Sequence, residues 1–147
     1  MTNKKILIVC IANYCRSPVV EKILQSKLTE KIQVTSAGIA PFPRIQMDPR
    51  SSEYLKSKNL EDTKHIPKRV SKKILDENDT IIAMDEIVLI KIYESIKDKS
   101  KIKLFNAIRK DLIIDDPYKL KDKQEYFNIM DKIFEGSNIW VHSLSEI

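Results

Sequence analysis

Glycine is nearly missing from this chain: two residues among 147. Proline is modest at six, and no Pro/Gly/Ser-rich stretch interrupts the sequence, which excludes low-complexity and disordered classes. Cysteine is also scarce, with two residues, and a chain this long buries a real core without disulfides or metals. Long hydrophobic runs are lacking too. No segment approaches the roughly 20 apolar residues needed to span a membrane. The start, "MTNKKILIVCIA", is basic and then apolar, like a secretory signal. Its apolar run is about seven residues and ends in Asn13-Tyr14 with no small-residue cleavage site. Val9, just before Cys10, is bulky for a lipoprotein cleavage site. A cytoplasmic protein is expected, with reduced thiols and no membrane partner. The net charge of +5 comes from lysines spread along the chain. A compact basic block interleaved with aromatics is absent, so no nucleic-acid partner is expected. The basic balance reads mostly as solvated surface that steers anionic ligands inward. With no repeat and no linker, residues 1–147 are expected to form a single domain.

What is present is an alternation of strand and helix signals. "KKILIVC" (Lys4–Cys10) is short, apolar and β-branched, the mark of a buried strand. A helix is expected from Ser17, with Ser17 as N-cap, Pro18 in the first helical position and Glu21 in the first turn. Val19, Val20, Ile23, Leu24 and Leu28 recur at helical spacing. Ile32–Ile39 reads as a second strand, Asp48–Leu60 as a helix with Tyr54 and Leu55 inward, and Asp79–Met84 as a third strand. Glu86–Ile96 reads as a helix and Lys101–Phe105 as a weaker fourth strand. A last helix is expected from about Lys121 to Phe134, closed by Gly136. Such alternation implies right-handed βαβ units and a mainly parallel sheet, with ligands bound beyond the carboxyl ends of the strands. Cys10 stands at such an end.

The chemistry gathers in "VCIANYCRSP", Val9 to Pro18, which holds both cysteines. A loop joining a strand to a helix start offers unpaired, partly positive N–H groups, and when curled inward it makes an anion nest. Arg16 adds a planar bidentate donor suited to phosphate oxygens. The field that attracts phosphate also stabilises a thiolate, so Cys10 is expected to be the nucleophile. Ile11, Ala12, Asn13, Tyr14, Cys15 and Ser17 complete the loop, and Asn13 tolerates a left-handed backbone. Ser17 is suited to donate a hydrogen bond to the Cys10 sulfur. The chemistry implied is covalent phosphoryl transfer through a cysteinyl-phosphate. A leaving group then needs a proton. Asp116 in "IIDDPYKL" is the candidate acid, with Asp115 its rival, because Pro117 holds the preceding residue extended. Tyr118 is a candidate wall for an aromatic substrate.

On these two segments the sequence resembles the low-molecular-weight protein tyrosine phosphatases. "TSAGI", "DPR" (Asp48–Arg50) and "DTIIAMD" are similar to family stretches in the same order. The resemblance implies a three-layer α/β sandwich with a four-stranded parallel sheet flanked by helices. It implies hydrolysis of phosphotyrosine and aryl phosphate monoesters, with no metal and no cofactor. It makes Cys10, Arg16 and Asp116 the catalytic residues and Tyr118 an aromatic at the mouth. Phe42 stands where the family has a cleft aromatic, and Ser36 and His65 are similar to its bracing pair for the loop asparagine. The implied partners are a phosphotyrosine protein, such as a bacterial tyrosine kinase of polysaccharide export, and phosphate or another oxyanion in the loop. The chain departs from the family at Ala12, where glycine is usual, at Val88 and Lys119, and in a short Gly38–Asp48 segment.

In the family a second loop cysteine is thought to trap the oxidised nucleophile as a reversible disulfide, so Cys15 is either such a guard or a filler behind the loop. Two other functions compete. An arsenate reductase would use the same loop, although its thioredoxin-coupled form needs cysteines away from the loop, which this chain lacks. A non-catalytic phosphotyrosine-binding module would keep the loop without turnover.

Overall fold

The computed structural model describes residues 4–41, 43–60 and 64–145. Four strands form one sheet: β1 Lys4–Cys10, β2 Ile32–Gly38, β3 Thr80–Ala83 and β4 Ile102–Leu104. Their order is β2-β1-β3-β4 and every pairing is parallel. Five helices connect or follow them: α1 Ser17–Lys27, α2 Pro49–Ser57, α3 Lys72–Glu77, α4 Glu86–Tyr93 and α5 Lys123–Ser145.

The strand signal at β1 has a plain cause. Successive side chains point to opposite faces, and both faces are covered, so the run is apolar throughout. Ile6 and Ile8 enter a core with Val19, Ile23, Tyr54 and Trp140, on the side of α1, α2 and α5. Leu7 and Val9 enter a second core with Leu75, Val88 and Ile92, on the side of α3 and α4. The result is helices, sheet, helices in three layers.

Three details differ from the sequence reading. Ser17 does not cap α1: the N-cap is Arg16, without a side-chain hydrogen bond, and the Ser17 hydroxyl turns into the loop instead. Gly136 does not end the last helix. That helix runs on to Ser145 with Gly136 buried inside it. A Cβ at Gly136 would lie 2.6 Å from the Phe105 ring, so the missing side chain makes room for Phe105 rather than a stop. The six-residue α3 carries too few apolar residues to announce itself; it is held by Ser71, whose hydroxyl accepts from Ile74 N–H at 3.1 Å.

The α2 end shows how local signals act. Asp48 caps the start by accepting from the Arg50 N–H at 2.8 Å. Asn59 takes φ 60°, and Leu60 N–H returns to Leu55 C=O at 2.8 Å, a Schellman close.

Candidate active site

β1 is the central site-bearing strand, and it delivers Cys10 to the sheet's carboxyl edge, where the chain curls through residues 11–16 before α1 begins. The curl crosses β2 at Gly38. A Cβ there would stand 2.7 Å from Ala12 C and Asn13 N, so this close approach requires glycine. Ile39 N–H bonds Cys10 C=O at 3.1 Å, and Ala40 N–H bonds Ile11 C=O at 2.7 Å, fixing the loop from outside.

Asn13 holds the loop from inside. It is fully buried, with φ 55° in the left-handed region. Its two amide hydrogens go to Ser17 Oγ at 2.8 Å and Ser36 Oγ at 2.9 Å, and its Oδ1 accepts from Lys68 N–H at 3.0 Å. Each serine therefore has its own hydrogen free to donate onward. Ser36 donates to Glu21 Oε1 at 2.6 Å. Ser17 Oγ lies 2.9 Å from Cys10 Sγ, within reach to donate to a thiolate there. His65 Nε2 lies 3.1 Å from Asn13 C=O, which can only accept, so this nitrogen carries the hydrogen. Burial lowers the His65 pKa below its ordinary value, against the pull of that carbonyl, and keeps the ring neutral. Ala12 is absent from the positive-φ residues, so its methyl group meets no left-handed strain.

Arg16 is 1% exposed, a buried cation at the loop's end. Its Nη1 donates to Ile114 C=O at 2.9 Å and pairs with Asp85 Oδ2 at 2.8 Å. Asp85 is itself fixed as the N-cap of α4, accepting from Val88 N–H at 2.9 Å through Oδ1. Arg16 Nη2 is buried and has no hydrogen-bond partner among the described residues. A buried guanidinium nitrogen left bare is costly unless a ligand oxygen meets it.

Cys10, Ile11, Tyr14, Arg16, Asp116 and Tyr118 line one cavity of about 190 Å³. Asp115 does not line this cavity; it lines a neighbouring groove, which Asp116 borders as well. Of the two rival carboxylates, Asp116 alone shares the cavity with Cys10 and Arg16. Asp116 Oδ1 accepts from Tyr118 N–H at 3.2 Å, which shapes the Asp-Pro turn. Tyr14 and Tyr118 meet edge to face with centroids 5.9 Å apart, forming an aromatic wall. Phe42 lies outside the described residues. Among the described residues no group of three or more His, Cys, Asp or Glu side chains converges to hold a metal ion.

Both thiols are free. Burial pushes the Cys15 thiol well above its ordinary pKa, and it donates toward Asp48 Oδ2 at 3.5 Å. Asp48 is buried, which raises its pKa, but hydrogen bonds from Arg50 outweigh this and hold its carboxyl below the usual range. Arg50 also donates to the carbonyls of Tyr118 and Leu120, tying the Asp-Pro loop to the start of α2.

Sequence reasoning passed over four contributors. The sequence places Glu21 only in the first turn of a helix, whereas in the structure it ends the Asn13 network. Asp85 follows a strand's carboxyl end, and that position was its signal. Arg50 sat in a quoted motif with no role attached. Arg44 had no signal at all. It stacks over Tyr14 at 4.7 Å and Tyr118 at 4.9 Å, and donates to the Tyr118 hydroxyl.

Residues 5–147 match the sequence model of the family described as low molecular weight phosphotyrosine protein phosphatase. The chain belongs to this family. Low molecular weight protein-tyrosine-phosphatases are hydrolases, and the named relatives agree. The phosphatase Wzb of Salmonella typhi is 25% identical over 142 residues, covering 96% of this chain and 94% of the relative. Low molecular weight phosphotyrosine protein phosphatase 1 of Drosophila melanogaster is 31% identical over 125 residues, covering 78% and 80%. Among solved structures, a low molecular weight phosphotyrosine phosphatase of Vibrio cholerae O395 superposes with a TM-score of 0.88 at 28% identity, covering 98% of each chain. Vibrio vulnificus Wzb, solved with benzylphosphonate, superposes at 0.86 with 27% identity, covering 96% and 99%. These phosphatases share the four-stranded parallel sheet with flanking helices.

Proposed function

We propose that the protein hydrolyses phosphotyrosine and aryl phosphate monoesters by two successive displacements at phosphorus. The observation that carries this reading is one cavity lined at once by Cys10, Arg16, Asp116, Tyr14 and Tyr118. The Cys10 sulfur attacks phosphorus in line while the Asp116 carboxyl gives its proton to the departing phenolic oxygen. The phosphoryl group is carried as a cysteinyl-phosphate. The backbone N–H groups of the loop and Arg16 Nη2, which has no partner among the described residues, hold its oxygens, where charge develops. Asp116, now a carboxylate, takes a proton from water, which attacks phosphorus and frees phosphate. The Ser17 hydroxyl stabilises the thiolate as it leaves.

Asn13, Ser36 and His65 act as positioning residues, keeping the loop curled when no anion is bound. Ile11 and the two tyrosines receive the aromatic ring, and the benzylphosphonate held by Vibrio vulnificus Wzb is a ligand of that shape. Residues 1–147 act as a single phosphatase domain. The partner is a phosphotyrosine protein, and the relatedness to the bacterial phosphatase Wzb makes a bacterial tyrosine kinase the proposed class. The site of action proposed is the cytoplasm; no described helix is long and apolar enough to cross a membrane.

The test is hydrolysis of aryl phosphates by the wild type, Cys10→Ser and Asp116→Ala. Turnover is expected to vanish in Cys10→Ser. In Asp116→Ala it should fall about 10²- to 10⁴-fold for phenyl phosphate and much less for an ester whose leaving group needs no proton. Activity surviving in Cys10→Ser would sink the mechanism. Thiol-dependent arsenate reduction outrunning phosphate release would assign the loop to an arsenate reductase, and tight phosphotyrosine binding without turnover to a binding module.

A further inference from the structure

Ile11 is the meeting point of three concavities. The catalytic cavity is one. On one side lies a groove of about 480 Å³ whose charged lining is wholly acidic: Asp85, Glu86, Asp115 and Asp116. On the other side lies a larger groove of about 620 Å³ whose charged lining, among the described residues, is basic: Arg69, Lys72 and Lys91. The floor of the basic groove is apolar, built from Ile11, Ile39, Leu75 and Ile92.

The basic groove is built rather than incidental. Arg69 sits on a segment clamped to the end of β2: Gly38 N–H bonds Lys68 C=O and Val70 N–H bonds Gly38 C=O, each at 2.8 Å. Lys91 is on α4 beside Ile92, which anchors the helix in the core. Among the described residues neither Arg69 nor Lys91 has an ion-pair partner, and Lys72 meets only Asp76 of its own helix at 3.8 Å. Among the described residues no acidic side chain lines this groove. Free cations around an apolar floor, open at one end to the phosphate loop, are complementary to an acidic peptide carrying an apolar side chain.

We infer that the groove between Arg69 and Lys91 seats an acidic stretch of the substrate protein next to its phosphotyrosine. This rests on the phosphatase reading above. The acidic groove across Ile11 repels the same stretch, so an acid-flanked chain has one favoured direction over the site. The attractive charge, on Arg69, Lys72 and Lys91, stands beside the catalytic cavity and not in its lining.

The test compares three substrates: an aryl phosphate, and phosphotyrosine peptides with acidic or with lysine residues on one side of the tyrosine, each side tried in turn. The enzymes are the wild type and the double variant Arg69→Glu/Lys91→Glu. For the wild type, kcat/KM should favour the acidic peptide by about three- to tenfold, on one side of the tyrosine, and lose the preference at high salt. The double variant should lose or reverse the preference while hydrolysing the aryl phosphate at the wild-type rate. Equal treatment of both peptides by the wild type, or a preference unchanged in the double variant, overturns the inference while leaving the phosphatase reading intact. No aryl phosphate turnover by the wild type overturns both. An oligonucleotide that binds tightly where the acidic peptide does not, and loses that binding in the double variant, would give the groove to nucleic acid and overturn the proposal.

Discussion

The phosphate loop and the Asp-Pro loop face each other across one cavity and are built in opposite ways. In residues 10–17 the polar side chains are buried and wired to β2, α1 and the segment around His65. In residues 113–120 the acid and the tyrosine are exposed, and the side-chain hydrogen bonds from outside are few and come from cations: Arg50 to two carbonyls, Arg44 to one hydroxyl, Arg16 to Ile114 C=O and Lys132 to Ile113 C=O. The loop that handles phosphorus must hold several N–H groups in one geometry before the anion arrives, because preorganised donors cost no reorganisation at the moment of reaction. The loop that handles the leaving group needs one carboxyl within reach, and can move to admit the ring. Damage should therefore be of two kinds. In the first loop it should cost stability and turnover together. In the second it should cost turnover alone.

The largest effect is expected at Asn13. Asn13→Ala removes three side-chain hydrogen bonds, leaves Lys68 N–H without its acceptor and puts alanine at φ 55°. Denaturant unfolding should show a loss of about 3–4 kcal/mol, with hydrolysis of every ester falling in parallel. Unchanged stability would mean that the loop stands without its network. Next is Gly136→Ala, outside both loops. Its Cβ would press on the Phe105 ring at 2.6 Å, and thermal unfolding should report about 1–3 kcal/mol lost, with turnover per folded molecule kept. Arg50→Met sharpens the comparison from the other side. It frees the Asp-Pro loop, so phenyl phosphate hydrolysis should fall about tenfold more than that of an ester with an acidic phenol; an equal fall for both would show that Arg50 does not position Asp116. Tyr118→Ala should leave stability within about 0.5 kcal/mol and raise KM for phosphotyrosine by about three- to tenfold.

A pH effect belongs to the first loop. The folded state keeps His65 below its ordinary pKa of about 6.5, so the unfolded chain binds the proton more readily. The contribution is fully present above pH 6.5 and is lost as pH falls through the lower folded value. Melting temperature measured from pH 8 down to pH 5 should decline on the acid side, and His65→Gln should flatten that decline.

How much of this was legible in the sequence follows the same division. The wired loop was readable because strand, curl and helix are each local, and Cys10, Arg16 and Ser17 fall at a fixed spacing on them. The register that brings Ser36 and His65 to Asn13 is long-range, and there the resemblance to a family supplied what spacing does not. Gly136 was misread because glycine after an amphipathic run signals a helix end, and its use as a recess for a distant Phe105 leaves no local trace. Arg44 was missed because its stacking on two tyrosines depends on where an irregular segment folds back.

The alternation along β1, with Ile6 and Ile8 in one core and Leu7 and Val9 in the other, has a consequence for how the enzyme can fail. A strand hydrogen-bonded on both edges and packed on both faces is among the last parts of a protein to open. Its amides should exchange with deuterium at the rate set by global unfolding, while those of residues 113–120 should exchange by local fluctuation. The nucleophile is thus rooted in the slowest-breathing part of the molecule. Fraying of the surface could let go of the acid or the substrate, but the thiol would lose its place only when the entire fold is lost.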